Sequence, residues 1–159
     1  MSQRGLANLL KAAIVGVGIC GLAIYFYFLP SIGKAVVQYA PEYERCCQAW
    51  ILFAQVTAFP CYLVLACCWR VASEIGRDNS FSAVNARLLK YIAGLAAFDS
   101  VLLLAGNFVF YVLGMNHSGL MLLSVVVVFF GIAVTVAASA LSHLVYKAAS
   151  LREENELTI

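Results

Sequence analysis

The sequence predicts an all-α membrane protein, with four transmembrane helices in an antiparallel bundle and both termini in the cytoplasm. The first observation is composition, since 64% of the 159 residues are hydrophobic and 11% are charged. Soluble domains average about 45–50% hydrophobic residues and about 25% charged residues. The second is four apolar stretches of about 20 residues, enough to cross about 30 Å of hydrocarbon. The third is the uneven distribution of Lys and Arg between the connecting segments.

The four apolar stretches are continuous rather than alternating, which favours helices over the strands of a closed barrel. A soluble chain of this length has too little interior to bury so much apolar surface. The surplus therefore faces lipid. We predict a single domain covering 1–159, with helices at about 12–29, 49–69, 82–113 and 120–152.

The first helix follows Arg4 and Lys11, as the apolar region of a signal peptide would. Its apolar run is longer than the 7–15 residues of a typical signal peptide, and no small-residue cleavage site follows Leu29. We interpret it as a retained helix. Pro30 is expected to end it, and Pro41 is expected to begin a short interfacial helix before the second span.

The orientation follows from the distribution of basic residues, which favour the cytoplasmic side of a membrane. A cytoplasmic N-terminus puts only Lys34 and Arg45 in the outer segments. The inner segments then carry the other eight basic residues, namely Arg4, Lys11, Arg70, Arg77, Arg87, Lys90, Lys147 and Arg152. Both termini are therefore predicted to be inside.

The loop between the second and third helices has its own pattern. Gly76 and the polar run 77–80 end the second helix, and Ser80 or Ser82 is a suitable N-cap for the third. The apolar stripe that follows lies outside the membrane, so it must be covered, and we expect the extension of the fourth helix to cover it. The stripe consists of Phe81, Val84 and Leu88.

Asp99 lies inside the third span, where an ionised carboxylate is costly unless it has a partner. Depth alone suggests Ser139 or Ser142 as its partner, with His143 further towards the cytoplasm. Together with Asn107, these groups fit either a path for an ion, proton or ligand, or simple interhelical hydrogen bonding, worth about 0.6 kcal/mol per contact. We favour hydrogen bonding, because one acid and one histidine are too few for a relay.

Six cysteines raise the question of a metal site. Cys46-Cys47 and Cys67-Cys68 lie about 30 Å apart on one helix, so the pairs cannot share an ion. Cys20 and Cys61 are expected to be small apolar packing residues. No catalytic pair, metal motif or cofactor motif is visible, so we predict a non-enzyme without metal or cofactor. A net charge of +2 gives no surface for direct nucleic-acid binding.

Two short segments resemble a known family. The first is the loop segment that contains Ile75-Gly76, Phe81-Ser82, Asn85 and Leu88-Leu89-Lys90. The second is the terminus from Leu151 to Ile159. Both are similar to small four-helix bacterial membrane proteins of the domain-of-unknown-function 2975 family, although Arg152 and Glu156 replace the usual Lys and Asp. The resemblance implies a bacterial cell membrane location, no enzymatic activity, and a small Cro/C1-type helix-turn-helix regulator encoded nearby.

Two functions therefore stay open. The first is a sensor or anchor that modulates such a regulator. A homo-oligomer is a further partner arrangement that stays open. Its partner-binding residues would be Phe81, Asn85, Leu88, Glu153, Glu154, Leu157 and Ile159. The second is a small transporter or pore around Asp99. A continuous wet cavity would favour transport, whereas a dry core with a structured cytoplasmic platform would favour the anchor.

Overall fold

The computed structural model describes residues 3–116 and 118–156, and the described chain is helical almost throughout. Its elements are α1 (Gln3–Ala23), a π turn (Ile24–Phe28), α2 (Leu29–Tyr39), a 3₁₀ turn (Pro41–Tyr43), α3 (Glu44–Gly76), α4 (Ala83–Val112) and α5 (Ser118–Glu156). Four spans are long and apolar enough to cross a membrane, with α1, the π turn and α2 forming the first of them. The all-α prediction with four transmembrane helices is confirmed.

Pro30 does not end the first helix, so this expectation was wrong. The π turn closes with the N–H of Leu29 donating to the carbonyl of Ile24, and α2 begins at Leu29. Pro30 thus lies in the first turn of a new α segment, where a missing N–H costs little. The helix runs on to Tyr39, and Pro41 starts the short turn that the sequence predicted.

The start of α4 agrees with the sequence, because Ser82 is its N-cap. The Ser82 hydroxyl accepts a hydrogen bond from the N–H of Asn85 at 3.2 Å. The Asn85 side chain is 1% exposed and donates to the carbonyls of Asn79 and Ser80, both at 3.0 Å. One buried amide therefore holds the α3–α4 loop against the first turn of α4.

The helices pack in chain order, as an antiparallel bundle arranged in a row. Contacts join α1 to α3, α3 to α4, and α4 to α5. Across the described residues, no such contact joins α1 to α5, so the row does not close into a ring. The two outer helices consequently have one protein neighbour each and expose their remaining faces to lipid.

Helix α5 shows what this arrangement requires of the sequence. One narrow stripe, recurring every three or four residues, is buried or half-buried against α4, whereas the residues around it are exposed. The stripe consists of Ser124, Val128, Gly131, Thr135, Ala138, Ser142 and Val145. Most of these residues are small, which lets two helix backbones approach closely in lipid.

Glycines make the closest approaches between neighbouring helices. The ring of Phe53 on α3 lies against Gly106 on α4, and it meets Phe110 edge-on with centroids 5.4 Å apart. On the α1–α3 side, the hydroxyl of Tyr62 donates to the carbonyl of Gly18 at 2.9 Å. Gly131 of α5 lies directly against the Ser100 side chain of α4.

These contacts fix the relative depth of the helices. The Lys11 ammonium lies 5.3 Å from the centroid of the Trp69 ring, which puts Lys11 level with Arg70. Cys67 and Cys68 pack against the cluster that includes Leu89, which puts Arg70 level with Lys90. Charges are costly in hydrocarbon, so this level marks one edge of the membrane. We refer to the part of the bundle beyond it as the charged end.

We predict that Gly106→Leu destabilises the protein and that Gly94→Leu, on the same helix, does not. A Cβ at Gly106 would overlap the Phe53 ring, whereas nothing lies within 4 Å of a Cβ at Gly94. Overpacking of this kind costs about 1–3 kcal/mol, and Leu is a better helix former than Gly. Thermal unfolding of both purified variants in detergent measures the difference. Equal midpoints for the two variants would contradict the close α3–α4 contact.

Candidate intramembrane polar site

Three of the four spans bring a polar side chain to the middle of the membrane. Asp99 on α4 is nine residues from Lys90, and Cys61 on α3 is nine residues from Arg70. Nine residues of helix rise about 13 Å, close to half of the hydrocarbon thickness of about 30 Å. Tyr25, in the π turn of the first span, completes the group.

The three side chains form a chain of hydrogen bonds. The Tyr25 hydroxyl donates to Cys61 Sγ at 3.9 Å, and the Cys61 thiol donates to Asp99 Oδ2 at 3.3 Å. The second carboxyl oxygen, Asp99 Oδ1, is buried and has no hydrogen-bond partner. Among the described residues, the site is therefore a half-satisfied carboxyl group held between the π turn of the first span, α3 and α4.

Irregular backbone lies near the carboxyl group, with Pro60 at its depth and the π turn about 8 Å further from the charged end. Tyr25 belongs to the π turn, a conformation that is rare and that often occurs at functional sites. Pro60, next to Cys61, is buried inside α3 and has no N–H to donate to the preceding turn. Both departures from regular α-helix thus lie around Asp99.

The surroundings give a charged Asp99 little support. A thiol is a weak donor, and within the described part of the chain no Lys, Arg or His forms an ion pair with this carboxyl group. An ionised carboxylate at this depth is costly. A carboxyl group in such a setting either carries a proton or attracts a cation.

The structure does not give Asp99 the partners expected from depth alone. Ser139 and His143 are exposed on α5, and the Ser142 hydroxyl donates to the carbonyl of Ala86 at 2.7 Å. That expectation was wrong because α4 turns Ser100 towards α5. Successive residues of a helix are separated by about 100°, so Asp99 faces α3 instead.

Asn107 belongs to a different contact. Its side chain donates to the carbonyl of Leu103 at 2.9 Å, and its Oδ1 accepts from the side chain of the buried Asn116 at 3.0 Å. This pair ties the α4–α5 turn to the end of α4. The four polar residues proposed from sequence (Asp99, Asn107, Ser139 and His143) are therefore not brought together.

Sequence reasoning missed two members of the site. Cys61 was expected to be an apolar packing residue, and Tyr25 was not considered. The signal for Cys61 was present, because it is as far from Arg70 as Asp99 is from Lys90. Tyr25 had no comparable signal, since its position depends on the π turn. In residues 3–116 and 118–156, no three His, Cys, Asp or Glu side chains are grouped as metal ligands would be.

The residues proposed for partner binding lie at the charged end. Phe81 and Val84 are 57% and 52% exposed, whereas Asn85 and Leu88 are buried and unavailable to a partner. Leu151, Glu153 and Glu154 are exposed on α5. Leu157 and Ile159 lie outside the described residues.

The expected cover over the stripe is incomplete, because Leu88 is buried but Phe81 and Val84 stay more than half exposed. For these two residues the expectation was wrong. The bond between Ser142 and Ala86 puts the first turn of α4 level with about residue 146 of α5. Helix α5 continues as helix from there to Glu156. It therefore projects about 15 Å past the first turn of α4 instead of folding back over it.

Four membrane-spanning helices packed in a row, three of which meet at a mid-membrane acid, define a small multi-pass membrane protein. A family model described as "Protein of unknown function (DUF2975)" matches residues 17–159, and the chain belongs to this family. It is also similar to the uncharacterized membrane protein YoaS of Bacillus subtilis (strain 168). The two are 28% identical over 152 residues, covering 94% of this chain and 95% of that protein. No solved structure matches.

We predict that Asp99→Asn leaves the fold intact whereas Ser100→Asn destabilises it. The carboxamide oxygen keeps an acceptor for Cys61, and interhelical hydrogen bonds of this kind are worth only about 0.6 kcal/mol. At position 100 the same residue would press on Gly131, at a cost of about 1–3 kcal/mol. The thermal midpoints of the two purified variants measure this contrast, and the reverse order would disprove the assigned orientation of α4.

Proposed function

We propose that this protein is a non-enzymatic membrane anchor that holds a small helix-turn-helix regulator at the cytoplasmic face and modulates it. The observation that carries the proposal is the exposed apolar surface beyond the membrane at the charged end. The kind of partner comes from the resemblance of the sequence to the family, which implies such a regulator. The cytoplasmic placement comes from the excess of Lys and Arg at this end.

The apolar surface starts at the beginning of α4. Val84 precedes Lys90 by six residues, or about 9 Å along the helix axis. Phe81 lies still earlier in the chain, and both side chains are more than half exposed. Apolar surface left in water costs about 25 cal/mol per Å² relative to burial. A protein partner that covers Phe81 and Val84 would remove this cost.

The projecting end of α5 supplies a second element beside this surface. Leu151 is 52% exposed, and Glu153 and Glu154 add acidic groups on the same segment. Arg152 lies between Leu151 and these two glutamates. An exposed apolar residue with acidic groups near it suits a partner that has an apolar centre and basic groups at its rim. DNA-binding domains have basic surfaces, so a regulator held here would bind DNA less readily.

The orientation is tested by a matched pair of cysteine substitutions, Glu42→Cys and Glu153→Cys. Both glutamates are exposed. They lie on opposite sides of the membrane, Glu42 in the turn before α3 and Glu153 near the end of α5 at the charged end. In intact cells, an impermeant thiol reagent should label Glu42→Cys well above the wild-type background, whereas Glu153→Cys should label only after permeabilisation. The opposite pattern would put the termini outside and would remove the anchor proposal.

The partner surface is tested by Phe81→Ser, by deletion of the residues after Arg152, and by the control Arg77→Ser in the same exposed loop. Regulator recovered with the tagged protein from native membranes should fall about tenfold for each of the first two changes, because each removes part of the contact. The control should behave as wild type. Insertion into the membrane should be normal for all three. Undiminished recovery with both Phe81→Ser and the deletion would exclude this surface.

A second candidate, a small transporter, is favoured by one observation only, the buried and unpaired Oδ1 of Asp99. Proton or cation binding at mid-membrane would use this oxygen together with the Tyr25 hydroxyl and the Cys61 thiol. The exposed Ser139 and His143 do not continue the site towards either end. A folded Asp99→Asn protein that has lost its cellular function would favour transport, whereas retained function would favour the anchor.

A further inference from the structure

A cleft at the charged end separates the first turns of α1 from the last turns of α3. It has a volume of about 320 Å³ and is lined by Arg4, Ala7, Asn8, Lys11, Ser73, Gly76 and Arg77. Its floor is the closest contact between these two helix ends, since a Cβ at Gly76 would lie 3.1 Å from the Cβ of Ala7.

The walls carry three basic residues and no acidic one. Arg4 and Lys11 are seven residues apart, two turns along one face of α1. Arg77 approaches from α3, and its guanidinium is 3.5 Å from the Glu74 carboxylate, which lies outside the lining. Asn8, between the two basic residues of α1, adds an exposed amide donor. The cleft therefore concentrates positive charge and hydrogen-bond donors.

The depth of the cleft matches that of lipid headgroups. Lys11 lies at the edge of the hydrocarbon, level with Arg70. Arg4 and Arg77 are each seven residues further out along their helices, or about 10 Å. The headgroup layer of one leaflet is about 5–8 Å thick. The backbones of Arg4 and Arg77 therefore lie just outside this layer, and their long side chains can reach back into it. Together with Lys11 they bracket the layer in which phospholipid phosphates lie.

We propose that this cleft binds the phosphate headgroup of an anionic phospholipid. Basic clefts between transmembrane helices suit such headgroups, and a guanidinium can donate two parallel hydrogen bonds to a phosphate. In this arrangement Arg4 and Arg77 bind the phosphate from opposite walls, Lys11 neutralises its charge from the hydrocarbon side, and Asn8 donates to an oxygen. A free phosphate ion has the same chemistry, but phospholipids hold their phosphates at this depth, next to the cleft.

A lipid bound here would join α1 to α3 at the edge of the row. Among the described helices α1 packs on α3, and Gln3 at its start accepts a hydrogen bond from Ser80 of the α3–α4 loop. A headgroup held by both helices would add a further contact between α1 and α3. The proposal concerns a different surface from Phe81, Val84 and Leu151, and it holds whether or not a regulator binds there.

The test compares binding of phosphatidylglycerol and phosphatidylcholine to the purified full chain in detergent, counted by native mass spectrometry and followed by thermal unfolding. The wild type should retain phosphatidylglycerol and be stabilised by it. The triple variant Arg4→Gln, Lys11→Gln, Arg77→Gln should bind it at least about tenfold more weakly, since each basic residue near a lipid surface contributes to binding. Inorganic phosphate alone should give no comparable stabilisation.

The control is the variant Arg87→Gln, Lys90→Gln, which removes two exposed positive charges from the charged end without touching the cleft. It should bind phosphatidylglycerol as the wild type does. The charge-conserving variant Arg4→Lys, Arg77→Lys should restore most of the binding, which separates charge from folding defects. Equal losses in the triple variant and the control, equal binding of the two lipids, or equal stabilisation by inorganic phosphate would overturn the proposal.

Discussion

Helices surrounded by lipid gain nothing by burying apolar side chains against each other, because the lipid tails are equally apolar. Their contacts must therefore come from close packing and from a few polar bonds. Both appear along the stripe that α5 presents to α4, where Gly131 admits the Ser100 side chain and Ser142 donates to the carbonyl of Ala86. The α3–α4 contact uses the same principle, with Gly106 admitting the ring of Phe53.

The mid-membrane acid follows from this packing. The side chain of Ser100 packs against Gly131 of α5. Asp99, the preceding residue, is therefore turned away from α5 and towards α3. There Asp99 meets Cys61 and, through it, Tyr25. The bonds are weak and one carboxyl oxygen stays unpaired, so the cluster contributes little to stability. Its position at the centre of the membrane, beside a π turn and a buried proline, is what makes it a candidate for function.

The charged end owes its features to helices that are longer than the hydrocarbon requires. Helices α1, α3 and α4 pass the level of Lys11, Arg70 and Lys90 by eight, six and seven residues, whereas α5 continues well beyond the start of α4. Phe81 stays exposed before the start of α4. The basic cleft lies between the ends of α1 and α3 on the same side of the molecule. A protein contact and a lipid contact can thus lie on one side of the molecule without sharing residues.

The sequence alone was enough to predict the class of protein, the number of spans and Ser80 or Ser82 as the N-cap of α4, because these depend on composition, on the length of apolar runs and on local hydrogen bonding. It also placed Asp99 at the right depth. It could not choose between α3 and α5 as the neighbour of Asp99, since a rotation of one residue about the helix axis decides that. It did predict that the fourth helix extends beyond the membrane, but not that this extension leaves Phe81 exposed or that a π turn carries the first helix past Pro30. The rotation of α4 and the level of α5 depend on tertiary packing, because Gly131 contacts the Ser100 side chain and Ser142 bonds to the carbonyl of Ala86.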